Sequence, residues 1–141
     1  MKKPVIILDD GAKDVGLAEM LFNLLRQNLE QKPQKLSDFQ ALHSDVVIVA
    51  RDIDITITLA FKRGELKIYD GVVGNPDLKI TADHDAILEL SLISIRMGLP
   101  NYFDRIGRTI LKKLLLGNLK IEGMLRHPLQ LIHLTKIFSV N

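Results

Sequence analysis

Two carboxylates, Asp52 and Asp54, have the residue type and spacing that could most directly support catalysis. They follow a continuous apolar run, residues 46–50, and Thr56 comes two positions after Asp54. A carboxylate at the end of a buried strand can attack phosphorus, and a second carboxylate close by can act as acid and base. The pattern therefore raises the hypothesis of a phosphotransfer site.

An apolar strand followed by Asp-x-Asp-x-Thr resembles the first motif of haloacid-dehalogenase-type phosphatases. Their mechanism also needs a magnesium-binding acidic pair and a distant lysine on a parallel α/β core. In this chain the alternation of apolar and polar residues continues through Phe61, so Asp54 and Thr56 fit the outward face of one strand. The phosphatase is therefore a minor alternative, and we expect no catalytic residue.

Other residues with coordinating side chains are also accounted for by local structure. Asp83, His84 and Asp85 could ligate a metal, but an aspartate that caps a helix beside exposed neighbours explains them better. His127 and His133 are six residues apart, which is the wrong spacing for one helical face. We expect neither a metal site nor a cofactor.

Composition indicates a single domain, residues 1–141, that includes an additional N-terminal arm, residues 1–11. A chain of 141 residues can bury a core of its own, and the absence of cysteine excludes disulfides and thiol chemistry. A net charge of +2 with few aromatic residues argues against nucleic-acid binding. No segment has the ~20 apolar residues of a membrane span, and the N-terminal apolar run is too short for a secretion signal. We expect a cytoplasmic protein.

The element that organises the chain is a predicted hairpin over residues 53–68. A period of two places its apolar residues on one face of a strand. Gly64 supplies the positive φ that a tight turn needs, and the alternation resumes at Leu66. The apolar residues of the first strand are Ile53, Ile55, Ile57, Leu59 and Phe61.

Helical spacing of apolar residues predicts helices over residues 14–32, 83–97 and 101–116, and from Pro128 to the C-terminus. Further strands are expected at residues 46–50, 78–82 and 119–123. Strands grouped by a hairpin, with helices before and after them, predict an α+β fold with helices on one face of a mainly antiparallel sheet.

The last three predicted helices carry more apolar surface than one sheet face can cover. A tightly packed core, an oligomer interface and a cavity for an apolar ligand would each explain this excess. Periodicity leaves the three explanations open.

Three segments together resemble the sterol carrier protein type two family of lipid-binding domains. They are residues 55–66, the strand-to-helix passage at residues 78–83, and residues 117–123, which read Gly-x-Leu-x-Ile-x-Gly. The resemblance covers about residues 46–137. The arm at residues 1–11 has no obvious counterpart in the family. The loop after Gly98 is short and contains Pro100, where family members often have a looser segment.

The resemblance implies a five-stranded sheet that, with the helices, encloses an apolar tunnel. It implies a non-catalytic protein that holds a fatty, sterol-like or isoprenoid chain for transport or presentation to an enzyme. The family includes accessory proteins of ubiquinone synthesis, which is one alternative role. A homodimeric structural or interaction module is the other alternative.

Face assignment gives the expected lipid-binding residues and a possible membrane-contact stripe. The expected lining residues are Ile57, Leu59, Phe61, Leu90, Ile93, Phe103, Ile106, Ile110, Leu129 and Ile132. The basic stripe is Arg105, Arg108, Lys112 and Lys113. Basic residues near an anionic bilayer contribute ~1 kcal/mol each, so this stripe could support transient membrane contact.

Overall fold

Strands with alternating apolar residues form a six-stranded sheet in the computed structural model, which describes residues 3–141. The sheet strands are β1 (Val5–Leu8), β2 (Asp45–Ala50), β3 (Ile55–Phe61), β4 (Glu65–Asp70), β5 (Leu78–Ala82) and, after two short strands described below, β8 (Leu119–Glu122). Their spatial order is β1-β4-β3-β2-β5-β8. The two short strands, β6 (Ile95–Arg96) and β7 (Leu99–Pro100), form a separate ribbon.

Five α-helices accompany the sheet in the described chain. They are α1 (Gly16–Gln31), α2 (Leu36–Ala41), α3 (His84–Leu90), α4 (Arg105–Leu115) and α5 (Pro128–Phe138). Helices pack against the sheet, so the predicted α+β class is confirmed.

The prediction of a mainly antiparallel five-stranded sheet is wrong in the number of strands, and it did not include parallel strand pairs. The sheet has six strands, and two neighbouring pairs, β1 with β4 and β2 with β5, are parallel. The sixth strand is β1, from the N-terminal arm, which pairs along the edge of β4. The loop over residues 71–77 returns the chain to the end of the sheet where β2 begins, which makes β5 parallel to β2.

Strand register places most apolar side chains of the six strands on one face. The other face carries Val47 and Val49 of β2 and Val5 and Ile7 of β1. Leu59 lies opposite Val46 on one side and Ile68 on the other, and Val46 lies opposite Leu78. All four residues are buried, and the helices cover this face. The hairpin turn is as expected, because Gly64 has φ of 98°.

The crossover loop at residues 71–77 covers part of the opposite face. The Thr58 hydroxyl donates to Gly71 O at 2.7 Å and accepts from Val73 N at 3.1 Å. Thr58 is consequently fully buried although it lies on the polar face of β3.

The helix expected over residues 83–97 ends at Leu90, and the chain then forms the β6–β7 ribbon. Met97 and Gly98 both have positive φ at the ribbon turn, 54° and 77°. The next helix begins at Arg105 rather than Asn101, because the Asp104 side chain accepts from Gly107 N at 2.7 Å and caps it there.

Candidate functional site

An enclosed apolar cavity lies between the apolar face of the sheet and the helices of the C-terminal half. Its volume is about 20 Å³, which is enough for a water-sized molecule and far below the ~300–1,000 Å³ of a typical ligand pocket. The lining residues are Ile80, Leu90, Tyr102, Ile110, Leu114, Ile121, Leu131, Leu134, Thr135 and Phe138. A long ligand could enter this space only if the surrounding helices moved outward.

The spacing of residues in each element explains why these side chains converge. Ile80 and Ile121 are paired across β5 and β8. Ile110 and Leu114 are one turn apart on α4, so they share one face of that helix. The lining residues of α5 follow the same helical spacing, since Leu134, Thr135 and Phe138 come three, four and seven positions after Leu131.

Two hydroxyl groups are the polar side-chain atoms among the lining residues. The Thr135 hydroxyl donates to Leu131 O at 2.8 Å and so completes its hydrogen bonding within α5. Burial raises the pKa of Tyr102, so its phenol stays neutral at physiological pH. A cavity with this lining, which includes no charged residue, suits an uncharged apolar group.

Two of the ten residues predicted to line a site, Leu90 and Ile110, border the cavity. Ile57, Leu59 and Phe61 lie on the same sheet face but are buried in the core outside the cavity. Phe61 packs edge-on against Phe39 of α2, with ring centroids 6.2 Å apart. The β3 residues therefore belong to the half of the core that the N-terminal helices cover.

The other predicted lining residues are distributed between core and surface. Ile93 is fully buried, and Ile106 and Ile132 are half-buried, but none of the three borders the cavity. Phe103 is 88% exposed, because it precedes the Asp104 cap and lies outside the periodicity of α4. Leu129 is 68% exposed in the first turn of α5.

The assignment of residues to strand and helix faces missed eight of the ten residues that line the cavity. For some of them the sequence does contain a pattern that indicates burial. Ile80 and Ile121 alternate with polar neighbours in short strands, and Leu131 and Leu134 have helical spacing. Tyr102 lies in the connection before α4, where no periodicity identifies an inward-facing side chain.

The Asp52 carboxylate, considered above as a nucleophile, binds the start of α3. Its Oδ1 accepts from His84 N at 2.8 Å, and its Oδ2 hydrogen-bonds to His84 Nδ1. The hydrogen bond to Asp52 raises the pKa of His84. Desolvation acts to raise the pKa of Asp52, but the hydrogen bonds that it accepts from His84 give a net lowering. Asp83, the predicted cap, makes no capping hydrogen bond, and Asp52 takes that role.

Within residues 3–141, no group of three or more His, Cys, Asp or Glu side chains is placed to hold a metal ion. No helix in that range is long and apolar enough to cross a membrane.

The basic stripe of α4 divides into two parts. Arg105, Arg108 and Lys112 are exposed. Lys113 is half-buried, and its Nζ lies 2.9 Å from Glu89 Oε2, which ties α4 to α3. Three of the four predicted cations therefore face solvent.

Two solved structures share this fold. One is described as "UbiJ-SCP2 Ubiquinone synthesis protein", with a TM-score of 0.59 at 13% identity, covering 86% of this chain and 94% of that one. The other, a crystal structure of sterol carrier protein 2, has a TM-score of 0.52 at 13% identity, covering 84% and 90%. No family model and no curated protein matches the chain. The protein has the fold of sterol carrier protein 2, as the sequence resemblance predicted.

Proposed function

We propose that this protein binds the long apolar chain of a fatty, sterol-like or isoprenoid lipid between its sheet and the helices α3, α4 and α5. It shields that chain from water, for transport or for presentation to an enzyme, and catalyses no reaction itself. The observation that carries the proposal is the enclosed cavity without charged lining residues, in a fold shared with sterol carrier protein 2.

Helix α4 is the element that could move to admit a ligand at low cost. Its fully buried residues are Gly107 and Ile110, against four in α5, and Ile106 and Leu114 are half-buried against the core. Moving α4 therefore exposes less core surface than moving α5. Each ligand CH₂ group transferred from water contributes ~0.8 kcal/mol, so a chain of ordinary lipid length could offset that exposure. Binding would then expand the cavity from its closed volume.

The similarity to a ubiquinone synthesis protein favours one ligand class in particular, a polyprenyl chain attached to an aromatic head group. Tyr102 supports this second candidate, because a neutral phenol at the cavity can exchange hydrogen bonds with a polar head. Mass spectrometry of lipid extracted from the purified protein distinguishes a polyprenyl ligand from a fatty acid.

Filling the cavity tests the proposal directly. Leu131→Phe adds volume to the lining, and we expect it to weaken binding of a fluorescent fatty acid by about tenfold or more, since interiors are close-packed. The matched control is Leu24→Phe on α1, which is half-buried outside the cavity and should bind as the parent does. Circular dichroism of both variants checks that the fold is retained.

Two results would contradict the proposal, the first for lipid binding itself and the second for the cavity as the binding site. One is a parent protein that native mass spectrometry shows free of lipid and that binds no fluorescent fatty acid. The other is equal binding by Leu131→Phe and the parent. A ligand-free homodimer would support the alternative of a structural or interaction module.

A further inference from the structure

Helix α4 presents a row of exposed leucines that no element of the described chain covers. Leu111 and Leu115 are one turn apart and are 42% and 81% exposed. Phe103, just before the helix, and Leu116, just after it, are also exposed. Exposed apolar side chains therefore lie on the C-terminal half of α4 and just beyond each of its ends.

A row of cations runs beside the leucines on the same helix. Arg108 and Lys112 are also one turn apart, and their row lies about 60° around the helix from the leucine row. Arg105 extends the cationic surface toward the N-terminus of α4. In the described chain, Lys113 is the α4 cation that forms an ion pair, and it lies on the flank that contacts α3.

We propose that this face of α4 docks on an anionic lipid bilayer, with Leu111 and Leu115 inserted and Arg105, Arg108 and Lys112 on the phosphates. An amphipathic helix with leucines beside basic residues binds in the plane of such an interface. The charge complementarity is specific, because α4 contains four cations and no acidic residue. This docking is a separate property from holding a lipid in the cavity.

A second copy of the chain is a poorer occupant of the same surface. A twofold interface places the same patch against itself, so the exposed cations of one α4 would face those of the other. The helix offers no carboxylate to compensate them. An anionic surface neutralises these charges, whereas self-association would bring them together.

The docking face and the cavity lining are adjacent faces of one helix. Ile110 and Leu114 line the cavity, and Leu111 and Leu115 immediately follow them in the chain. Helix α4 is therefore the partition between the cavity and the docked bilayer. A lipid that left the bilayer could reach the cavity by displacing this helix alone.

Tryptophan fluorescence tests insertion, because the chain contains no tryptophan. In the full-length chain, Leu115→Trp should show a blue shift with vesicles of phosphatidylcholine and phosphatidylglycerol, and quenching by brominated lipid. The matched probe is Val72→Trp, on the exposed crossover loop, which should show neither. No shift at position 115, or equal shifts at both positions, would overturn the proposal.

The contribution of the cations to bilayer affinity is tested with two double variants that have equal net charge. Arg108→Gln with Lys112→Gln should weaken binding to the anionic vesicles roughly 30-fold, at ~1 kcal/mol for each cation removed. Lys62→Gln with Arg63→Gln, at exposed positions of the β3–β4 turn and away from α4, should weaken it far less. Equal losses in both pairs would overturn the proposal.

These assays test bilayer docking and ligand binding in the cavity separately. The Arg108→Gln, Lys112→Gln variant should bind a soluble fluorescent fatty acid as the parent does, because neither residue lines the cavity. Loss of vesicle binding with fatty-acid binding retained supports docking as a property of α4. Loss of both together would overturn the assignment of separate surfaces.

Discussion

Lys35 is a cationic side chain buried at the junction of the N-terminal and C-terminal helices. It is only 4% exposed, and its Nζ donates to Lys136 O and Ser139 O, each at 2.6 Å. Nearby, Asn28 Nδ2 donates to Ile137 O at 2.9 Å. These donors satisfy carbonyls at the end of α5, which have no partner within the helix.

The pKa of Lys35 predicts how stability changes with pH. Burial lowers the pKa of Lys35 to about 8, whereas its ordinary value is 10.5. Between these values the unfolded chain binds a proton that the folded chain does not, so the free energy of unfolding rises with pH. We expect a rise of about 2 kcal/mol from pH 8 to pH 9.5, measured by urea unfolding.

Lys35→Met is the control for this pH dependence. The variant should be less stable at neutral pH, because two buried carbonyls lose their donor, a loss of about 1–3 kcal/mol. Its stability should change little between pH 8 and pH 9.5. A slope in the variant equal to that of the parent would assign the dependence to another group.

At the scale of elements, Gly107 permits α4 to lie close to the segment that precedes it. A Cβ at this position would lie 2.2 Å from Asn101 O and 2.5 Å from Tyr102 Cα. Both are backbone atoms and cannot rotate away, so a side chain would force α4 apart from the segment that precedes it. The glycine sets the distance between α4 and a lining residue of the cavity, Tyr102.

We therefore expect Gly107→Ala to destabilise the protein. Alanine favours a helix by ~1 kcal/mol over glycine, but the clash should exceed this and give a net loss of about 2 kcal/mol. Thermal unfolding measures the change. Gly16→Ala in α1 is the matched control, since no neighbouring atom lies within 4 Å of its Cβ and stability should stay equal or rise. A gain in both variants would contradict the close approach.

The sequence predicts those elements whose spacing is set locally. The period of two in β3 and the glycine at the turn specify the hairpin, because both act within a few residues. Parallel pairing of β2 with β5 was not predictable, since it depends on the path of a loop. The end of α3 was missed because the apolar residues after Leu90 continue without a charge that would break the helical pattern.

The sequence predicts which face of the sheet borders the candidate site, but it does not predict where on that face the cavity lies. Alternation correctly puts Leu59 and Ile80 on the same sheet face. Which helix covers each half of that face depends on tertiary packing, which periodicity does not encode. Leu59 consequently lies in packed core, while Ile80 borders the cavity.

Across the whole molecule, two groups of helices cover the two halves of the sheet. Helices α1 and α2 cover the first half, where Phe39 and Phe61 are in contact. Helices α3, α4 and α5 cover the second half, where the cavity lies and where α4 has few buried residues. In the described chain, the half of the sheet under α1 and α2 makes no extensive contact with α4, so it can stay in place if α4 moves.

The half of the sheet under α1 and α2 also contains a sheet edge that β1 protects. Val5 N donates to Gly64 O at 3.1 Å, and Asp9 N donates to Ile68 O at 2.9 Å, so β1 occupies the hydrogen-bonding edge of β4. Deletion of residues 1–9 leaves these backbone groups of β4 open, and an open strand edge is a template for pairing with another chain. We expect the truncated protein to self-associate and to unfold at a lower temperature than the parent, as measured by light scattering and calorimetry.

A double variant separates the effect of the open edge from that of lost apolar surface. Val5→Thr with Ile7→Thr makes the outward face of β1 more polar but keeps its backbone paired with β4. Threonine suits a strand, so this variant should keep the oligomeric state of the parent and lose little stability. Self-association of the double variant to the same extent as the truncated chain would show that edge protection is not the role of β1. An unchanged oligomeric state after truncation would show the same, because β4 would then tolerate an open edge.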